Sequence, residues 1–328
     1  MNPENTQTAS PQDNDRLPFL VGTYALGSFP STYEANEALA AKGVTGLEVP
    51  ITSESASVLA KRLEQDTPRD WVFLGTMIPK VMSSLANNKD YGLASNNELG
   101  RRQAIDDVHV LYEVARNLSS MSGFPRMIGI EVHSAPGPVL GSEVALKKSL
   151  EELLSDLPMG TTLFLEHCDA YSPNLKCAKG FFPLDTELSV LNDLHEADPL
   201  KLIGVSINWG RSAIEGRSPD TPLKHAHLAA ASGLSVCAVL SGATDATGKW
   251  GQPWEDSHIP LRLEGVTFEE TSASLLSQDR VQEFIVAANP SMLALKISNK
   301  IDDSASTSKA ILNSAIDLIQ DIQGGQPE

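Results

Sequence analysis

The chain has 328 residues, with 25 Lys and Arg against 42 Asp and Glu, and a formal net charge of −17. That balance excludes nucleic-acid binding, which needs cations to displace counterions from phosphates, and it excludes docking to anionic lipid. Hydrophobic residues at 41% can fill a sizeable core, and the length suits either two domains or one large α/β barrel.

Residues 1–17 (MNPENTQTASPQDNDRL) have neither a basic leader nor an apolar stretch and read as a disordered tail. Three cysteines, Cys168, Cys177 and Cys237, are too few for a disulfide framework and fit a reducing, cytoplasmic setting. No run approaches the roughly 18 apolar residues of a membrane span. The first β-rich run is PFLVGTYAL (18–26), and residues 31–42 follow it with a Ser/Thr cap candidate, helical composition and a stop at Gly43. GVTGLEVP (43–50) and WVFLGTMIP (71–79) are the second and third runs. Residues 96–120 place Ile105, Val108, Leu111, Tyr112 and Ala115 at helical intervals before the fourth run, RMIGIEVHSAP (126–136). A helix over 143–155 precedes TTLFLEHCDA (161–170); KLIGVSINWG (201–210), SVCAVLSGA (235–243) and MLALKIS (292–298) complete the strands, and a helix over 304–321 closes the chain. Short runs apolar on both faces are the pattern of buried parallel strands. Eight strands alternating with eight helices predict a single (β/α)8 barrel over 18–322, with 323–328 frayed; a doubly wound open sheet is the alternative.

In a barrel the chemistry lies at the carboxyl ends of the strands. Strand 4 ends with Glu131 and His133 on one face. Strand 5 ends with Glu166 and Cys168 on one face and His167 and Asp169 on the other. Strand 6 ends Asn208-Trp209-Gly210-Arg211, strand 7 ends Ser241-Gly242 before a loop carrying Trp250, Trp254, Asp256 and His258, and Lys296 interrupts the apolar run of strand 8. One polar residue at a strand end is simply where a strand leaves the core. Five successive strands ending this way point to a ligand site, because several buried charges together are costly. Plainer roles are also open: Glu131 and His133 as a hydrogen-bonded pair, Lys296 neutralising Glu131 or Glu166, Arg211 pairing with Glu215, and the tryptophans packing the rim instead of stacking on a sugar. Cys168 reads as a small buried hydrophobe. His225 and His227, two apart in a stretch that reads as a helix, are weak metal candidates that diverge from one another.

The segments EVHSAP (131–136), LEHCDA (165–170), KGF (179–181), INWGRSAIE (207–215), LSG (240–242) and DSH (256–258), with YGLAS (91–95) and GRRQA (100–104), resemble the bacterial family called domain of unknown function 4862. That family is similar in turn to the xylose isomerase-like TIM barrels, a group of sugar isomerases, epimerases and related enzymes. The wider resemblance implies a divalent metal held by Glu, Asp, His and Glu from successive late strands. Glu166 matches the first ligand, whereas Asn208, Ser241 and Lys296 stand at the other three places. A lysine ammonium there opposes a divalent ion, so no metal or other cofactor is expected; a shifted set of Glu166, Asp256 and His258 is the alternative.

The leading expectation is a cytoplasmic isomerase or epimerase of a small sugar or sugar acid. Glu166 or Glu131 removes the proton beside a carbonyl, His133 relays one, and Lys296 with Asn208 stabilises the enediolate oxygen. His167, Asp169, Trp209, Arg211, Trp254 and His258 are expected to contact substrate, with Arg211 on an anionic group. Two alternatives stand beside it: a Schiff-base aldolase or lyase using Lys296, and a sugar-binding barrel without catalysis. Related barrels often associate, which leaves a homo-oligomer open.

Overall fold

A computed structural model of the chain describes residues 17–22, 33–51, 54–264, 269, 271–298 and 304–324. The elements follow in the order β1 (Phe19–Gly22), α1 (Tyr33–Ala40), β2 (Gly46–Pro50), α2 (Ala56–Asp66), β3 (Val72–Thr76), α3 (Ile78–Asn87), α4 (Glu98–Ser122) and β4 (Met127–Val132). Next come α5 (Glu143–Ser155), β5 (Thr162–His167), α6 (Leu184–Ala197), β6 (Ile203–Asn208), α7 (Trp209–Gly216), α8 (Thr221–Ala231) and β7 (Ser235–Leu240). The chain then forms α9 (Gln278–Ala288), β8 (Met292–Leu295) and α10 (Ala305–Gly324). All neighbouring strands are parallel, and β8 returns to β1 in the register Phe19↔Leu293, so the sheet is a closed barrel and not the open doubly wound alternative.

All eight expected strands are present. The helix tally differs, with ten among the described residues, because β3–β4 and β6–β7 are each joined by a pair of helices. The final helix continues to Gly324, two residues into the stretch expected to fray. Residues 1–16 of the expected tail and 23–26 of the first run lie outside the described residues.

Local sequence explains the boundaries. Asn97 caps α4 by accepting from the Leu99 and Gly100 amides, and Gly123 ends that helix in the left-handed region. Ser142 caps α5 by accepting from the Ala145 amide. Strand alternation then divides the core in two. Leu47, Phe73, Ile130, Leu165, Val205 and Leu293 face outwards and are buried with the helices in the larger cluster. Leu20, Leu74, Phe164, Cys237, Val239, Met292 and Ala294 face inwards and fill the amino-terminal half of the barrel. Phe164 needs a glycine beside it: a Cβ on Gly204 would lie 2.7 Å from its ring.

The same inward alternation continued toward the carboxyl ends of the strands brings polar residues: Glu48, Thr76, Glu131, Glu166, Ser206 and Asn208, then His133, Ser241 and Lys296 just past the strand ends. All nine are buried. The barrel therefore has an apolar floor and a polar mouth, and strand periodicity alone sets the strand-borne part of that mouth.

Candidate active site

The centre of the mouth is Glu166 on β5. Its Oε2 lies 2.6 Å from His133 Nε2, and its Oε1 is in direct ionic contact with Arg211 Nη1. Arg211 reaches this place because β6 passes into α7 without a loop: Asn208 is both the last strand residue and the helix cap, accepting from the Arg211 amide at 3.3 Å. The guanidinium therefore springs from the first helical turn over the mouth, with its Nε 3.4 Å from Asp256 and its Nη1 3.4 Å from Cys168 Sγ. Asp256 also meets Lys179 Nζ at 3.0 Å and His258 Nδ1 at 3.6 Å, and the same His258 nitrogen lies 2.9 Å from Ser241 Oγ. On the other side Lys296 Nζ meets Glu48 at 2.8 Å, and Ser206 Oγ donates to Glu131 at 2.7 Å.

These surroundings sort the ionisable groups. Burial, with the charges of Glu166 and Glu48 nearby, pushes Glu131 well above its ordinary value, toward the neutral acid. Burial also opposes ionisation of Glu166, but Arg211, Lys296 and His133 outweigh it and hold Glu166 well below that range. Burial lowers His133, and Arg211 and Lys296 add to the shift against the pull of Glu166. Burial, aided by Lys296, Arg211 and Lys179 and opposed by Asp256, takes His258 down to about 4. Asp256 stays ionised: against burial, His258, Arg211 and Lys179 hold it well below its usual value. Four buried polar atoms of the mouth, Glu131 Oε2, His133 Nδ1, Asn208 Nδ2 and Thr76 Oγ1, have no hydrogen-bond partner among the described residues.

The expected site residues divide accordingly. Glu131, His133, Glu166, Asn208, Arg211, Asp256, His258 and Lys296 are brought together. His167 is not, because it occupies the outward face of β5, with Nδ1 2.7 Å from Glu187 and Nε2 3.0 Å from Glu215. Asp169 is spent on its own loop, accepting from the Ala178 amide at 2.6 Å and the Lys179 amide at 3.0 Å. Trp209 is buried in the outer core, and Trp250 is buried as well, so these two do not form a stacking wall. Trp254 is half-buried, with the Arg217 guanidinium 5.9 Å from its ring centroid. Of the plainer pairings, His133 bonds to Glu166, Arg211 meets Glu166 and Asp256, and Lys296 bonds to Glu48 while its charge also acts on Glu131 and Glu166.

Glu48, Lys179 and Ser206 belong to the site and were not singled out in the sequence. Glu48 carried a usable signal. It is the lone charge of an apolar strand at an inward position, the counterpart of Lys296.

A divalent metal does not fit the mouth. Glu166, Asp256 and His258 do converge, but around the Arg211 guanidinium, which already supplies the positive charge there. The donor atoms of His133, Glu166 and Cys168 lie within 4.8 Å of one another, yet Arg211 contacts the last two and burial keeps the Cys168 thiol protonated. Asn208 leaves only its Nδ2 donor unpartnered, and a donor repels a cation.

The fold is that of the (β/α)8 barrels. Within that class the chain belongs to the family described as Domain of unknown function (DUF4862), whose profile matches residues 20–310. A relative from Salmonella typhimurium (strain LT2), described as uncharacterized protein STM3670, is 31% identical over 282 residues, 85% of this chain and 84% of its own. Among solved structures, a D-psicose 3-epimerase in the presence of D-fructose aligns with a TM-score of 0.57 at 10% identity, over 94% of this chain and 100% of its own. A xylose isomerase domain containing protein from Salmonella typhimurium LT2 also aligns with a TM-score of 0.57, at 8% identity over 93% of this chain and 97% of its own. No described helix is long and apolar enough to cross a membrane.

Proposed function

We propose that the protein is an isomerase or epimerase of a small sugar or sugar acid, and that side chains of the barrel mouth carry its proton transfer. The carrying observation is the opposite surroundings of two buried carboxyl groups on adjacent strands: Glu166 lies against Arg211 and His133 and is held down, whereas Glu131, among the described residues, hydrogen-bonds only to the Ser206 hydroxyl and is pushed up. Such a separation assigns an acid and a base within one site. Neutral His133 is the base. With Nε2–H donating to Glu166, its Nδ1 holds the lone pair that takes the proton from the carbon beside the substrate carbonyl. Glu166 stabilises the imidazolium that forms. Glu131 gives its proton to the carbonyl oxygen, which yields a neutral enediol and a carboxylate; Asn208 Nδ2 and the Lys296 ammonium favour the negative charge that develops in passing. The imidazolium then gives its proton to the former carbonyl carbon while the hydroxyl on the first carbon gives its proton to the Glu131 carboxylate, which isomerises the sugar; return of the proton to the opposite face of the first carbon, with the enediol hydroxyl proton going back to Glu131, epimerises it. The likeness to a D-psicose 3-epimerase supports the substrate class through the fold alone.

The test is a panel of small ketoses, aldoses and keto acids incubated in D2O and followed by proton NMR. Deuterium entering the carbon beside the carbonyl supports the reading. A sugar that binds saturably and exchanges no proton over days overturns it in favour of a binding barrel.

A further inference from the structure

We propose that His167, His225 and Glu215 form a binding site for a divalent transition ion of the zinc type, on the outward face of β5 and separate from the barrel mouth. His167 ends β5, Glu215 lies on α7 and His225 on α8, so three elements that are neighbours in the barrel wall supply one donor each. The Nε2 atoms of both histidines face one carboxylate: His167 Nε2 is 3.0 Å from Glu215 Oε2, and His225 Nε2 is 3.6 Å from Glu215 Oε1. All three donor atoms lie within 4.8 Å of one another. Ligands bound to zinc at about 2.0–2.2 Å stand roughly 3.3–3.6 Å apart, so only a small adjustment closes the set.

The surroundings are those of metal-binding imidazoles. Each ring has its other nitrogen fixed from outside, His167 Nδ1 by Glu187 at 2.7 Å and His225 Nδ1 by Ser212 Oγ at 3.0 Å. Such contacts hold the rings in place, and an ion bound at His167 Nε2 displaces the proton that this nitrogen shares with Glu215. Glu187 is itself held by Ser134 Oγ, and Glu215 accepts from the Ala170 amide at 2.8 Å. Two buried or half-buried carboxylates, Glu187 and Glu215, thus face two imidazoles, and a dication balances their charge. Glu215 also lines a cleft of about 230 Å3 with Tyr171, Cys177 and Arg217, from which a water or small anion would supply the fourth ligand. His227, two residues further along α8, points away from His225, is exposed and takes no part.

The experiment strips the full-length protein with a chelator, titrates it with Co2+ and with Zn2+, and follows visible absorption, calorimetry and the metal content after gel filtration. The expected result is one equivalent bound with the intense visible bands of a tetrahedral cobalt site. His225→Gln and Glu215→Gln each weaken binding by about 100-fold or more, Ser212→Ala weakens it by roughly 10-fold, and Glu166→Gln in the mouth leaves it unchanged. Ser212→Ala keeps both imidazoles and the carboxylate, so it reads the site even where a ligand variant fails to fold. Less than 0.1 equivalent bound, binding indifferent to all three outer variants, or binding lost in Glu166→Gln overturns the proposal.

Discussion

Lys296 Nζ and Glu48 Oε1 lie 2.8 Å apart with both side chains fully buried, although 248 residues separate them in the chain. They belong to β2 and the end of β8, with β1 between them, and the pair spans that strand over Gly22, where a Cβ would sit 2.6 Å from a Glu48 oxygen. A buried ion pair is costly to break from one side only. Glu48→Gln is therefore expected to lower unfolding free energy by about 3–5 kcal/mol, and Glu48→Gln with Lys296→Met to recover most of that loss. Urea unfolding of the single and double variants measures it, and equal losses in both would contradict the pairing.

The same ion pair bears on covalent chemistry. A Schiff-base amine needs a free lone pair, and the Lys296 nitrogen is held in a buried ion pair with Glu48. Borohydride reduction in the presence of a turned-over keto sugar is expected to leave Lys296 unmodified by mass spectrometry. A stoichiometric adduct there would replace proton transfer with aldolase or lyase chemistry.

At the opposite end of the barrel Arg126 is a purely structural cation. Its side chain is fully buried, donating to the Trp71 and Pro68 carbonyls, to Thr67 and to Glu64, and its guanidinium lies 4.9 Å from the Phe73 ring centroid. Arg126→Ala leaves these acceptors without a donor and is expected to cost about 3 kcal/mol or more in urea unfolding. Substrate KM, measured at a temperature where the variant is folded, should stay within about two-fold, because Arg126 touches nothing in the mouth.

The pH dependence follows from the depressed imidazoles. His258 titrates at about 4 in the folded protein and near 6.5 when unfolded, and His133 is shifted in the same direction. The unfolded chain thus binds more protons between these values. The stability these groups contribute is complete above about pH 6.5 and is lost progressively as pH falls toward about 4. His258→Gln removes one such group and is expected to flatten the decline in thermal midpoint between about pH 6.5 and 4.5. An unchanged slope would show that His258 keeps an ordinary affinity for its proton.

The barrel was legible because its signal is periodic. Eight apolar runs at the right spacing predict the closed sheet, and two-residue alternation correctly separates Glu166 from His167 on β5. What the sequence could not show was which neighbours face each other across the barrel. Lys296 meets Glu48 because β8 closes on β1 beside β2, a contact that exists only after ring closure. Arg211 reaches Glu166 because α7 begins at the last residue of β6, where a connecting loop was equally compatible with the residues. His167 and Asp169 are polar residues at a strand end like the others, yet their partners lie in α6, α7 and their own loop. Polarity at a strand end locates the rim, and only the face of the strand decides which side of the wall the residue serves.

In the proposed reaction His133, oriented by Glu166, moves the proton. Solvent deuterium entering a turned-over sugar, compared between the native protein and His133→Asn, tests it most directly. Loss of a positioned base is expected to slow exchange by about 10²–10⁴-fold while circular dichroism shows the barrel intact. Exchange in His133→Asn within two-fold of the native rate would show that His133 is not the base.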